Sequence, residues 1–566
     1  MQANVMGRLG TWESPWLSRF FVLVLAIVIA WLIAMWPLSW AALLVFGSIL
    51  LVLAAVKPRW ALYTLPFAVP FGSIYEIQVG PAMVGGTEAL LGGFLLGWIA
   101  RGIAQRDLHL PRPPLWDVML LWYVVMLLSV SQSSSLAASL KELVKWGEMF
   151  ALYAIAVHEL KRRDMVILVA MTLVAGTLEA LEGIYQSWYL IGPDPFRFPI
   201  GNQIWLRAYG RFVQPNPYAG YLGLVLPLAY GLVIVMRDVA RTSIPACSSC
   251  INSGFCSTCD RNPEFGAISN PNAEFGATSD ANAEFGPTCD RKAGFGATFA
   301  RPRESTDDIY FSHDRIFRWA KICTTIMLIA LILTWSRGGW IGALLAVASV
   351  SILLGDRRAP FLLLLIGALI GMMAAMADFL PAQLANRMSD IVAYFNVINL
   401  DVSSITLTPG NFSIVERLAH WEAGLNMWAD KPWLGQGIGN YAAVYPTFYT
   451  PPWLDPLGHA HNFLLNTLAE TGVIGLIAYL IFWVSALRFI LEAIPRSTGL
   501  WRGIAIGVFA AMVHLHVHNF FDNLYVHGMY LHVALLLAIA AKLHHSEGSE
   551  ERAIKGQTVH DTKTAL

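Results

Sequence analysis

Long apolar runs constrain this chain more than any other feature. FFVLVLAIVIAWLIAMW and FLLLLIGALIGMMAAMA are two of many such blocks. Runs of about 17 to 25 apolar residues match the hydrocarbon thickness of a bilayer. Only 13% of the chain is charged and its mean hydropathy is +0.54. Soluble domains carry about 25% charge. The blocks recur along the whole sequence, so a single cleaved leader does not account for them. These runs predict an all-α polytopic membrane protein. A formal net charge of zero gives no basic nucleic-acid surface.

The expected spans are 18–36, 38–56, 60–76, 84–100, 115–131, 142–157, 164–189, 214–236, 318–335, 340–354, 360–377, 462–490, 500–518 and 524–543. Some are short or adjoin Pro and Gly, which sets the expectation at about 12–14 transmembrane helices. Lys and Arg collect at alternate junctions, among them Lys57, Arg59, Arg101, Lys161, Arg162, Arg163, Arg357, Arg358, Arg496 and Lys542. Basic residues stay on the cytoplasmic side. One consistent solution keeps both termini inside. It places the 133–141 turn, the 190–213 loop, the 336–339 turn and the long 378–461 loop outside.

The expected organisation is therefore an N-terminal membrane unit (1–244), a cytoplasmic insert (245–312) and central helices (313–377). The large outer loop (378–461), C-terminal helices (462–545) and a cytoplasmic tail (546–566) follow. The insert holds an imperfect ten-residue repeat, with Phe at 255, 265, 275, 285 and 295. It is too short and polar for a solenoid unit and reads as a flexible insertion. Cys247-x-x-Cys250 and Cys256-x-x-Cys259 are separated by only five residues, against roughly 15 to 20 in a zinc ribbon.

Three polar features fall on the predicted outer side. Arg337 lies in WSRGGW between two apolar helices, in a turn that Gly338 and Gly339 are expected to permit. An ionisable group at such a depth is a functional candidate, with snorkelling to headgroups as the alternative. Arg417 begins a stretch in which Trp421, Leu425 and Trp428 follow at near-helical spacing, predicting a helix at the membrane surface that KPWLGQGIGN ends. Then HAHN leads into NFLLNTLAETGVIG. Asn462, Asn466 and Glu470 form one polar stripe, Asn462 is the expected N-cap, and Thr471-Gly472 should end or bend the helix. His461 then stands at a helix N-terminus, where the dipole disfavours a charged ring and favours a nearby phosphate.

Together these residues resemble the O-antigen ligase family of membrane glycosyltransferases, which includes polymerase-like members. His461-Asn462, nine intervening residues and Gly472-x-x-Gly475 match the family's His motif. Arg417 with the downstream DKPWLGQGIGNY matches its loop arginine, except that Trp421 replaces the usual Leu. Ser336-Arg337-Gly338 and GRFVQPNPYAGYL (210–222) are also similar to family elements. The resemblance covers most of the chain outside the insert and tail.

It implies a GT-C-like bundle with a long extracytoplasmic loop in the bacterial inner membrane. It also implies glycan transfer from an undecaprenyl-diphosphate-linked donor to a hydroxyl of a lipid or glycan acceptor. His461 would be the general base, and Arg337 and Arg417, with Asn462, would bind substrate. Arginine suits a diphosphate because its planar fork donates in pairs. No acidic pair stands at metal spacing in the loop, so no metal or other cofactor is expected, and transfer should invert the sugar. Two rival readings remain: a polysaccharide polymerase, and a transporter of bicarbonate or another small solute. A further rival is local. His459-x-His461 invites a metal, but no third ligand is evident from the sequence. His514, His516, His518, His527 and His532, with Asn519 and Asp522 among them, are expected to line the bundle's outer mouth rather than join the catalytic set.

Overall fold

The computed structural model describes residues 38–72, 76–79, 82–107, 112–200, 203–242, 313–354, 402, 407 and 412–544. The expected spans at 18–36 and 360–377, the repeat insert and the C-terminal tail lie outside the described residues. The rest is almost entirely helical. Helices α1 (Leu38–Val56), α2 (Pro58–Gly72), α3 (Gly86–Gln105), α4 (Trp116–Ser129), α5 (Leu136–Glu159), α6 (Arg162–Tyr189) and α7 (Pro215–Thr242) form the first half. Helices α8 (His313–Leu333), α9 (Arg337–Leu353), α10 (Phe412–Asp430), α11 (Tyr441–Phe448), α12 (Phe463–Ala493) and α13 (Gly499–Asn519) follow, and α14 (Met529–His544) closes the described chain.

Five described helices are long and apolar enough to cross a membrane: Arg162–Tyr189, Pro215–Arg237, Asp314–Leu333, Phe463–Ala493 and Gly499–Asn519. Shorter apolar helices pack beside them. The chain is an all-α polytopic membrane protein. Two small antiparallel hairpins were not foreseen from the apolar pattern: β1 (Glu76–Val79) with β2 (Ala82–Gly85), and β3 (Arg197–Ile200) with β4 (Gln203–Leu206).

The core is aromatic as well as aliphatic. Trp122 stands edge-on to Trp146 at 5.7 Å and to Tyr479 at 5.6 Å, so α4, α5 and α12 lock together. Outward residues such as Leu128, Val144 and Val484 are exposed apolar positions, as expected of surfaces solvated by lipid rather than water.

The two ends of the bundle differ. At one end Arg59 and Arg101 meet Glu159, Arg162 lies over the Trp501 ring, and Arg496 meets His544. At the other end the described part of the 378–461 segment meets the turn after α4, and the β3–β4 hairpin meets the α8–α9 turn. Asn440 bonds Ser133, Ser134 and Ser135 after α4. The β3–β4 hairpin is tied to the end of α8 through Ala208 N to Leu333 O (2.8 Å) and Arg207 Nε to Thr334 O (2.9 Å).

Candidate active site

The site is built where the loop re-enters the bundle. Asn462 caps α12, its side chain accepting from Leu465 N at 3.0 Å. The rest of the polar stripe is also spent on the loop. Asn466 Oδ1 accepts from Ala460 N (3.1 Å) and Glu470 Oε1 accepts from Tyr441 N (3.0 Å). All three stripe residues are buried. The stripe therefore fastens the loop to the helix, which explains polar residues at otherwise apolar depth.

The helix breaks at Gly472, which adopts φ 65° and ψ −168°. The segment after α10 fills the break. Val473 N donates to Pro432 O (2.9 Å), Ile474 N to Trp433 O (3.3 Å), and Gln436 N and Gly437 N donate back to Ala469 O and Glu470 O (both 2.9 Å). Backbone groups orphaned by the break are thus paired. A Cβ on Gly472 would land on the Trp433 backbone, and one on Gly435 on the Glu470 backbone. Gly472 of GVIG and Gly435 of GQG are needed because two backbones touch there.

His461 immediately precedes the cap and holds φ 52°. A non-glycine residue in the left-handed region is uncommon and clusters at functional sites. Its backbone N–H donates to His459 Nδ1 at 3.0 Å. That bond makes His459 Nδ1 an acceptor, so its ring proton sits on Nε2, which faces Asp522 Oδ1 at 3.5 Å. His461 Nδ1 lies 3.8 Å from the same oxygen. Neither ring nitrogen of His461 has a hydrogen-bond partner, and both are buried.

Asp522 is fixed by its own turn. Asn523 N donates to Asp522 Oδ1 (2.9 Å), Leu524 N to Asn519 Oδ1 (2.8 Å), and Tyr525 N to Asn523 Oδ1 (2.9 Å). Such side-chain-to-backbone bonds are why Asn and Asp favour turns. Burial pushes the Asp522 carboxyl up, but the rings of His461 and His459 and the charge of Arg417 outweigh it. They hold the carboxyl well below the usual carboxylate range. His459 is driven down to about 3, chiefly by burial, then by His461, against the pull of Asp522. His420 on α10 is driven down to about 4 by burial and by His461, whose ring centroid is 5.5 Å away. The Tyr441 hydroxyl donates to the His420 carbonyl (2.9 Å) and also meets His420 Nδ1 at 3.1 Å. One hydroxyl proton cannot serve both, so Nδ1 carries the ring proton and Nε2 keeps its lone pair. That Nε2 is buried without a partner.

His459, His461 and Asp522 bring three ligand-type atoms within 4.8 Å of one another. The third group missing from the sequence argument is therefore present. The donor set still suits a cation poorly. A metal on His459 Nε2 requires a protonated Nδ1 or an imidazolate, and Nδ1 is accepting a backbone N–H. The nearby Arg417 charge also opposes a cation.

Arg417 lies one turn into α10, and its charge acts on both His459 and Asp522. Arg337 is the first residue of α9, half-buried, behind a Ser336 cap that accepts from Gly339 N at 3.3 Å. The expected role of the adjacent glycines needs correction. The left-handed residue of this turn is Trp335 (φ 52°), while Gly338 and Gly339 are helical. Gly338 instead lets α9 approach the His518 ring, where an added Cβ would sit 2.8 Å from Cδ2. Arg337 thus enters at the same mouth as the α13 terminus that carries Asp522.

Residues 322–480 match the O-antigen ligase family. The match covers less than half of the chain. No curated protein matches the chain. The matched region contains Arg337, Arg417, His461 and Asn462, and it ends inside α12. Asp522 comes from beyond it. The expectation set Asp522 aside with the histidines near it, because the sequence separates it from His461 by all of α12 and α13. His420 was also missed; its only signal was a polar residue among the buried positions of an amphipathic helix.

Proposed function

We propose that this O-antigen ligase-like membrane protein transfers a glycan from a polyprenyl-diphosphate donor to a hydroxyl of a cell-envelope acceptor. His461 is the base, and the undecaprenyl carrier of the bacterial inner membrane is the donor lipid. The mouth containing His461 faces away from the cytoplasm, an orientation that the basic residues gathered at the opposite end support. The observation that carries this reading is the unpartnered, buried His461 Nε2, backed on the Nδ1 side by an ionised Asp522.

The acceptor O–H gives its proton to His461 Nε2 as its oxygen bonds the anomeric carbon. The bond from that carbon to the diphosphate oxygen breaks in the same displacement, so the configuration inverts. Asp522 stabilises the imidazolium as it forms. Arg337 and Arg417 neutralise the departing lipid diphosphate, which is the charge a divalent metal would otherwise neutralise. Asn462 acts through its cap, holding His461 at the helix end. Transfer is therefore insensitive to chelators.

The test is transfer of a lipid-linked glycan in membranes. His461→Ala should lower the rate by about 10² to 10⁴-fold, the usual contribution of a general base. Transfer at the parental rate would remove the assignment. Deleting the protein separates ligase from polymerase: loss of a ligase leaves long unattached chains, and loss of a polymerase leaves single repeat units.

A further inference from the structure

At the end of the bundle opposite His461, a cavity of about 300 Å³ opens beside the α1–α2 turn. Lys57, Arg59, Trp60, Arg101 and Glu159 line it. Three cations face one carboxylate. Glu159 is already engaged, with Arg101 NH1 at 3.8 Å and Trp98 Nε1 donating to it at 3.1 Å. Arg59 Nε donates to the Glu159 carbonyl at 2.8 Å and stands 3.7 Å from Asp164. Lys57 lies over the Trp60 ring at 5.3 Å and has no ion pair among the described residues. The cavity therefore holds positive charge that its own walls do not balance.

A second feature continues from it. Ile49, Val52 and Val56 are 50%, 57% and 65% exposed. They lie at i, i+3 and i+7 on α1, one apolar stripe running from the cavity along the helix. Trp60, 58% exposed, lines the cavity beside that stripe, and indole rings favour the boundary between lipid and water. A soluble anion would use the cations but not the stripe.

We propose that this cavity binds the phosphate headgroup of an anionic phospholipid, with an acyl chain lying along Ile49, Val52 and Val56. Basic pockets between membrane helices suit such headgroups. The site is separate from the proposed transfer chemistry and does not depend on it. A lipid held here pins the α1–α2 turn and the start of α6 to the membrane surface.

The test is native mass spectrometry of the full chain released from micelles doped with equal phosphatidylglycerol and phosphatidylcholine. The parental protein should retain phosphatidylglycerol preferentially. Each cation near a membrane surface adds about fivefold, so Lys57→Ala/Arg101→Gln should weaken retention roughly thirtyfold. Lys57→Ala alone, which removes one cation whose contact within the protein is the Trp60 ring, should weaken it about fivefold, and this variant decides the matter if the double variant does not fold. Arg488→Gln, at an exposed residue paired with Glu492, should leave retention unchanged. Unaltered preference in Lys57→Ala would overturn the proposal. So would displacement of the lipid by millimolar inorganic phosphate, which would assign the cavity to a free anion.

Discussion

Replacing Asp522 by Asn tests the site where its pieces come from furthest apart. The substitution keeps the shape and a hydrogen-bonding oxygen but removes the charge 3.8 Å from His461 Nδ1. Two unit charges at that separation interact by about 4 kcal/mol at an effective dielectric of about 20. That energy is absent while His461 is neutral and develops only as it takes the acceptor proton, so its loss falls on the transition state. Arg417 also acts on Asp522 and offsets part of it, leaving roughly 2 to 4 kcal/mol, or about 30 to 1000-fold in rate. The assay is single-turnover transfer from a purified lipid-linked glycan at saturating donor, with donor binding measured separately. Asp522→Asn should depress the transfer step and leave donor affinity within about threefold. If the rate stays within threefold of the parent, Asp522 does not support the base. If donor affinity falls while the step is unchanged, Asp522 belongs to substrate binding instead.

Other expectations follow from the same geometry. Gly472→Ala places a Cβ on the Trp433 backbone at a φ of 65°; it should lower stability by at least about 2 kcal/mol, and an unchanged melting temperature would contradict the backbone contact. Asn440→Ala removes the Nδ2 bonds to Ser133, Ser139 and the Ile438 carbonyl, between 2.8 and 3.0 Å, and leaves Ser135 N without its Oδ1 acceptor at 2.7 Å; a cost of about 1 to 3 kcal/mol should appear as faster proteolysis of the 431–461 segment. His420 and His459 are held neutral in the fold, at about 4 and about 3, below the ordinary value of about 6.5. The unfolded loop takes up protons first, so stability present above pH 6.5 is lost as pH falls from about 6.5 towards 4. Equal protease resistance of the loop at pH 7.5 and pH 4.5 would refute that.

The parts legible in the sequence are those that local chemistry decides. Apolar runs place α1, α6, α7, α8, α12 and α13 because lipid leaves the backbone no other choice. Asn462 reads as a cap and Gly472 as a break because each depends on its immediate neighbours. What the sequence left unread depends on distant chain. Ser133 to Ser135 read as an ordinary turn, and only the docked loop reveals them as the cradle of Asn440. Asp522 read as one polar residue near several histidines, since nothing local says that the turn after α13 meets HAHN. The tautomers of His459 and His420 follow from a backbone N–H and a tyrosine hydroxyl placed by the tertiary fold. Gly338 and Gly339 were read as turn residues, yet their use is to let one helix lie against another.

The break at Gly472 also settles a question of length. An unbroken helix from Phe463 to Ala493 has 31 residues and would measure about 46 Å, well beyond a hydrocarbon core of about 30 Å. Cut at Gly472, the part from Val473 onward is about 31 Å long and fits the core without tilting. The first piece, capped at Asn462, is left over as a short strut at the water boundary, bonded to the loop on both sides. The loop segment after α10 is bonded to both pieces across the break, so strut and span hold one fixed angle and His461 keeps its place at the end of the strut.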